Sequence, residues 1–387
     1  MDFEFSAEQE ALRESVRRFL AERTPITPYV RAHYDTLRVP DTRDGGDDGV
    51  WRALAELGVV GLLVPEAHGG AGMGMVDTAV VLEEVGRAVN PLPYLASAVG
   101  AVSLVVDAGA AREHAFLLPG LADGSTIGTV ALYEPERRFH WEEPLTVARR
   151  DGDGWRVDGT KVHVPDGATA NLVLVTAAAE DGVGVFAVES GGEAGGEGSD
   201  GVEVESTPTV DGSRKEATIR LTGARAWRLG DGDASGAIAR TIDRMAVGYV
   251  VDGVGAAARA LELTIDYAKE RVQFDRPIGA FQAVQHLCAD MLRVVELGRA
   301  AAYYACWAID EADVDEAHRA ATIAKAYASE AFSQLGGSAI QVFGGIGFTW
   351  EHDIHLFYKR LLTASVALGG ADDHLEALAT IALATGG

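Results

Sequence analysis

The stretch "ERVQFDRPIGAFQAVQHLCADM", residues 270–291, joins two helical patterns through a short break. Upstream, Leu261, Thr264, Ile265 and Ala268 recur at helical spacing between Gly255 and Arg271. Downstream, Phe281, Val284, Cys288, Met291 and Leu292 do the same. Arg271 closes the first helix, Phe274 reads as an exposed ring, and Pro277 sits where proline is permitted at the start of the next helix. Arginine offers a forked donor to phosphate oxygens, and a nearby ring offers a stacking face for a base. The same residues also read as a cationic helix end that complements the macrodipole, beside a core phenylalanine.

Further along, "QVFGGIGFTW" (341–350) ends a long Ala-rich helical pattern with Gly344, Gly345 and Gly347 among large apolar residues. Glycine is used where the chain must take an unusual dihedral, or where another group must come closer than a Cβ allows. Two readings stay open from these residues alone: a helix C-cap with a turn, and a backbone that touches a ligand.

Outward from these stretches, the chain reads as α+β and mainly helical. Helical patterns at 237–271, at 316–342 and at 354–384, with the helix that carries Phe281 to Leu292, give a C-terminal four-helix bundle over 236–387. Between 126 and 235 lie short strand-like runs, including "LTVARR", "GWRVDGTKVHV", "NLVLVTA" and "EATIRL", which predict a small β-barrel or sandwich domain. Asp158-Gly159 reads as a tight hairpin turn. "SGGEAGGEGSDG" (190–201) reads as an acidic surface connector. Residues 1–125 form a helical domain, with Ser6 as an N-cap and Glu8 and Gln9 in the first turn.

With 387 residues, 48% of them hydrophobic, the chain can bury a sizeable core. Its formal charge of -25 repels nucleic acid and anionic membrane surfaces over most of the exterior. The N-terminus lacks a basic region leading into an apolar run, and no stretch is long and apolar enough to span a bilayer. The two cysteines, Cys288 and Cys306, lie within helical patterns, as suits free thiols in a reducing compartment. The cytoplasm is the expected location.

Taken with "QVFGGIGFTWEHDIHLFYKR" (341–360) and the early "ELGVVGLLVPEAHGGAGMG" (56–74), the 270–291 stretch resembles the acyl-CoA dehydrogenase family of flavoproteins. The resemblance covers nearly the whole chain, including the order helical, β, helical. It implies FAD lying extended between the β domain and the C-terminal bundle, with a neighbouring subunit reaching its nucleotide end. Arg271 would then meet the pyrophosphate, and Phe274 would pack near the adenine part. Gln341, Gly344 and Gly345 would contact the same end of a cofactor held mainly by another protomer. That arrangement favours the ligand-contact reading of the glycines and implies at least a dimer, with an electron-transferring flavoprotein as the expected acceptor.

The family oxidises an acyl thioester between its α and β carbons. A carboxylate removes an α proton and hydride passes to the flavin. Here the usual base positions hold Leu368, in "LLTASVALGG", and Met245, in "TIDRMAVGYV". The resemblance makes Asp243 a substrate-side residue, but places Ala246 where an arginine is expected; Arg244 is adjacent. In the β domain Tyr133 replaces a hydroxyl residue ahead of Glu134 and Pro135, and His163 and Pro165 occupy flavin-facing places. His352 and His355 in "WEHDIH" have a metal-like spacing. They continue the family signature, where no metal is involved, so no metal is expected.

Three readings follow. The preferred one is an FAD-dependent dehydrogenase of an acyl thioester with its base unidentified. The alternatives are a half-site partner of a catalytic paralogue in a mixed tetramer, and an enzyme acting on an acyl carrier protein thioester. Leu368 and Met245 discriminate the first two.

Overall fold

The strand-like runs after residue 126 close into a ring in the computed structural model, which describes residues 5–34, 49–137, 140–190 and 200–385. The predicted connector at 190–201 falls largely outside the described residues. As the sequence predicts, the fold has N-terminal helices, a central small β-barrel and a C-terminal helical bundle.

By compactness the chain divides into two units. One holds the described residues up to Ala32, Met75–Asn90 and everything from Ala246; the other holds the described parts of His33–Gly74 and Pro91–Met245. In chain order the α-helices before the barrel are α1 (Ala7–Arg23), α2 (Arg31–Tyr34), α3 (Val50–Glu56), α4 (Met75–Arg87), α5 (Val102–Ala108) and α6 (Ala111–Ala122). The barrel strands are β1 (Gly128–Ala131), β2 (Val147–Asp151), β3 (Gly154–Pro165), β4 (Leu172–Ala179), β5 (Gly182–Glu189), β6 (Val202–Thr207) and β7 (Glu216–Leu229). Then come α7 (Ser235–Glu270), β8 (Val272–Gln273), β9 (Arg276–Pro277), α8 (Gln282–Glu311), α9 (Val314–Phe343), α10 (Ile354–Val366) and α11 (Ala371–Thr385).

In the second unit β4, β2, β3, β7 and β5 pair in sequence, and β5 returns to β4. This closure removes the free edges of those five strands, while β1 adds to β4 and β6 to β7. Alternating positions such as Val173, Val175, Ile219 and Leu221 fill the interior with Phe186. The hairpin between β2 and β3 turns at Gly152–Asp153, not at Asp158-Gly159 as the sequence predicts. Gly159 instead lies inside β3, where an added Cβ would come within 2.4 Å of the Thr146 hydroxyl. Its bareness serves packing across the sheet rather than reversal.

A charged pair is buried in the barrel. Lys161 Nζ donates to Glu134 Oε1 (2.9 Å), Thr176 Oγ1 (3.1 Å) and the Leu132 carbonyl (3.2 Å). Burial pulls this ammonium down to about 8, with Glu134 opposing the shift. Glu134 also accepts the Leu145 and Thr146 backbone N–H groups, which fixes the loop that carries Tyr133 and Pro135.

In the first unit Ser6 and Gln9 form a capping box at the start of α1. Helices α4 and α7 meet backbone to backbone: an added Cβ at Gly86 would lie 1.8 Å from the Asp252 carbonyl oxygen, and one at Gly255 1.9 Å from that of Glu83. Beside this crossing, Arg360 on α10 makes a fully buried two-pronged pair with Asp252 (2.8 and 3.0 Å) and donates to the Asn90 carbonyl. Two expectations are corrected. The pattern at 354–384 is two helices, broken at Ala367–Gly370 where Leu368 (φ 55°) and Gly369 (φ 103°) turn left-handed. Leu292, assigned to the apolar face of α8, is 49% exposed.

Candidate functional site

Helix α7 stops where its hydrogen bonding runs out. The Arg271 N–H still donates to the Tyr267 carbonyl (2.9 Å), after which β8 and β9 form a miniature hairpin. Its two-residue tip is Phe274 (φ 54°) and Asp275 (φ 61°), both left-handed. Turns of that kind favour Asn-Gly, and a bulky residue with positive φ is a true outlier. Phe274 is nevertheless 85% exposed. Its ring meets Phe281 edge-on, and the Arg276 guanidinium covers Phe281 at 4.1 Å. Arg271 is exposed at the base of the hairpin. Pro277 lies in β9 and caps a 3-10 turn, so it does not begin α8 as the sequence predicts; Phe281 occupies that N-cap.

At the end of α9, Gly344 adopts φ 64° and ψ -143°, a conformation open to glycine alone, and its N–H donates to the Ile340 carbonyl. Gly347 is small because an added Cβ would press on Phe343 at 3.0 Å. Gly345 differs from both. Its φ is not left-handed, and an added Cβ meets no described atom within 4 Å. The helix cap thus accounts for Gly344, and packing for Gly347, but neither accounts for Gly345.

A recess of about 260 Å³ opens over this turn, lined by Gly337, Gln341, Gly344, Gly345, Phe348 and Tyr358 among others. Gln341, Gly344 and Gly345 are therefore brought together. Arg271 and Phe274 do not line the recess, although Tyr267, one turn before Arg271, stacks on Phe343 at 4.3 Å. An exposed arginine, an open ring face and bare backbone suit a nucleotide diphosphate. These residues fit the nucleotide half of a flavin.

Met245 and Leu368, which the sequence reading matches to the family's base positions, lie in different units. Met245 is buried on α7, its sulfur 3.0 Å from where a Cβ on Gly100 would stand. Asp243 is partly exposed. Arg244 is held by Asp107 (2.5 Å), which also receives Arg240, so it is committed to α5. Leu368 sits in a turn fastened by side chains. Lys325 Nζ donates to the carbonyls of Gly369 (2.7 Å) and Ser365 (3.2 Å) and to Ser329 Oγ (2.9 Å). Asp373 accepts the Gly370 N–H (2.8 Å), and His374 Nε2 lies 2.9 Å from the Leu368 carbonyl oxygen. Burial pulls Lys325 down to about 7 against the opposing field of Asp373.

Lys325 escapes sequence reading. Its signal is a lysine on the apolar stripe of α9, between Ala321 and Ala328, where a long side chain ordinarily reaches back to solvent. In the barrel, His163 (φ 51°) projects from an irregular stretch of β3 and pairs with Glu216 at 2.7 Å. Tyr133 contributes its carbonyl to the Val162 N–H. His352 accepts the Ile354 N–H through Nδ1 and His355 lies edge-on to Trp350; burial pushes both imidazoles down.

Among the described residues, no helix is long and apolar enough to cross a membrane. Residues 6–125 match the acyl-CoA dehydrogenase N-terminal domain and residues 235–383 the C-terminal domain. The acyl-CoA dehydrogenase IpdE2 of Mycolicibacterium smegmatis is 32% identical, over 96% of this chain and 98% of its own. A solved structure described as a Tcur3481-Tcur3483 steroid ACAD variant is 33% identical, with a TM-score of 0.86 and 98% of each chain covered. The ChsE4-ChsE5 complex from Mycobacterium tuberculosis gives 27% identity and a TM-score of 0.86 over 99% of each chain.

Proposed function

Because the chain belongs to the acyl-CoA dehydrogenase family of FAD-dependent oxidoreductases, we propose that it serves α,β-dehydrogenation of an acyl thioester as a half-site subunit alongside a catalytic paralogue. The observation that carries this reading is Leu368. Its turn is clamped by three side chains, yet the residue presented cannot accept a proton. Met245, at the other base position, is equally inert.

FAD, when bound, supplies the hydride acceptor for the β carbon. In this chain Arg271 would donate to its pyrophosphate and Phe274 would offer a face to the adenine part. Gln341, Gly344 and Gly345 would let backbone N–H groups approach the nucleotide end of a flavin held mainly by a neighbouring chain. The α proton would pass to a carboxylate of the paralogue. The names of the two-component relatives support a mixed assembly, and "steroid ACAD" supports a bulky, ring-bearing acyl group carried on coenzyme A. Electrons would leave to an electron-transferring flavoprotein in the cytoplasm.

The test is expression of the chain alone and with candidate paralogues, followed by flavin absorbance. Stoichiometric flavin that bleaches with acyl-CoA only in the mixed protein is expected, with occupancy falling in Arg271→Ala and Gly345→Val. Full flavin and bleaching in the chain alone would refute the half-site role and leave the ordinary enzyme reading.

A further inference from the structure

Away from this site, α1, α4, α7 and α8 enclose a recess of about 280 Å³ in the first unit. Its charged lining is Arg13 and Arg17 from α1, Glu83 and Arg87 from α4, Glu262 from α7 and Arg299 from α8. Four guanidinium groups and two carboxylates line the recess, and Glu10, Glu84 and Glu296 pair with the same arginines, in a chain where 58 acidic residues outnumber 33 basic ones.

The arginines are held in place and only partly used. Arg17 gives Nε and Nη2 to Glu84, and Arg87 gives both terminal nitrogens to Glu262. Arg299 is spent on Glu83 and Glu296. Arg13 gives only Nη1, to exposed Glu10, and its guanidinium lies over the Phe5 ring at 4.2 Å. Among the described residues, Nε and Nη2 of Arg13, Nη1 of Arg17 and Nε of Arg87 have no protein acceptor. The carboxylates behind the forks fix their direction, so little side-chain freedom is left to lose on binding.

We propose that this recess binds a phosphate dianion, either free or as the terminal phosphomonoester of a small metabolite. A phosphate monoester carries about two negative charges at neutral pH, and its oxygens match the N–H groups that these arginines leave open. Phe5, Gly255 and Ala258 leave the remaining wall apolar and low, with room for a few atoms beyond the phosphate.

The experiment is calorimetric titration of the full-length purified protein with inorganic phosphate, and separately with glycerol 3-phosphate, in chloride buffer at about 0.15 M ionic strength. Binding of one ligand per chain with a dissociation constant below about 1 mM is expected for at least one probe. Which of the two binds tells free phosphate from a phosphomonoester. Arg13→Gln weakens binding about tenfold or more, since the arginine alone donates two open N–H groups. Among the described residues its one carboxylate partner, Glu10, is exposed, so the change strands no buried charge there, and an unaltered melting curve checks the fold. Ala258→Met narrows the recess without touching a charge and abolishes binding. Absence of saturable heat with both probes, or variants that bind like the wild type, overturns the proposal and leaves an ion-pair network that only ties the helices.

Discussion

Replacing Lys325 with methionine separates a buried charge from the turn it fastens. The ammonium is fully buried and its pKa falls from 10.5 to about 7, chiefly through burial. A tenfold change in proton affinity is worth about 1.4 kcal/mol, so the protonated form is disfavoured in the fold by on the order of 5 kcal/mol. The sign follows from proton counts. Between about pH 7 and 10.5 the unfolded chain keeps this proton and the folded chain releases it, so stability rises with pH across that window. Below pH 7 both states are protonated and the penalty is full. In Lys325→Met that slope disappears, while the Ser365 and Gly369 carbonyls lose a donor at every pH. Urea unfolding of both proteins from about pH 6.5 to about 9.5 measures the difference directly. The wild type should gain roughly 2–4 kcal/mol on the variant over that range. Parallel curves, separated by a constant amount, would show that Lys325 stays charged in the fold, and the account of its burial would fail.

Asp252→Ala strands the buried Arg360 guanidinium and should cost about 3–5 kcal/mol in thermal or urea unfolding. Adding Arg360→Met should recover part of that loss, an interaction that additive effects would contradict. Phe274→Asn relaxes a left-handed position by about 1 kcal/mol without losing buried area, because the ring is exposed. The melting temperature of the flavin-free protein should hold or rise while flavin dissociates faster. A variant that keeps its flavin would show that the strained ring has no ligand.

The barrel is legible because period-two burial in runs such as "EATIRL" survives in β7, and Ser6 with Gln9 announces α1 correctly. Turns are harder. "DGDGWRVDGTK" contains several Asp-Gly pairs, and only packing against Thr146 from outside the segment places Gly159 within a strand. The hairpin at Phe274–Asp275 defies the turn chemistry by which such loops are found, so "VQFDRP" reads as a simple helix junction. Position 368 is found only through the family signature. What surrounds it depends on Lys325, more than forty positions earlier in the chain, which no local pattern could link to the Gly369 carbonyl.

The fastening of that turn has an evolutionary corollary. Lys325, Asp373 and His374 all grip main-chain atoms there, and none of these bonds consults the side chain at 368. Among residues that tolerate the left-handed φ there, identity can change while the loop's path stays put. A lineage could retire a reactive group there, or reinstate one, by a single codon change with the surrounding scaffold left unedited.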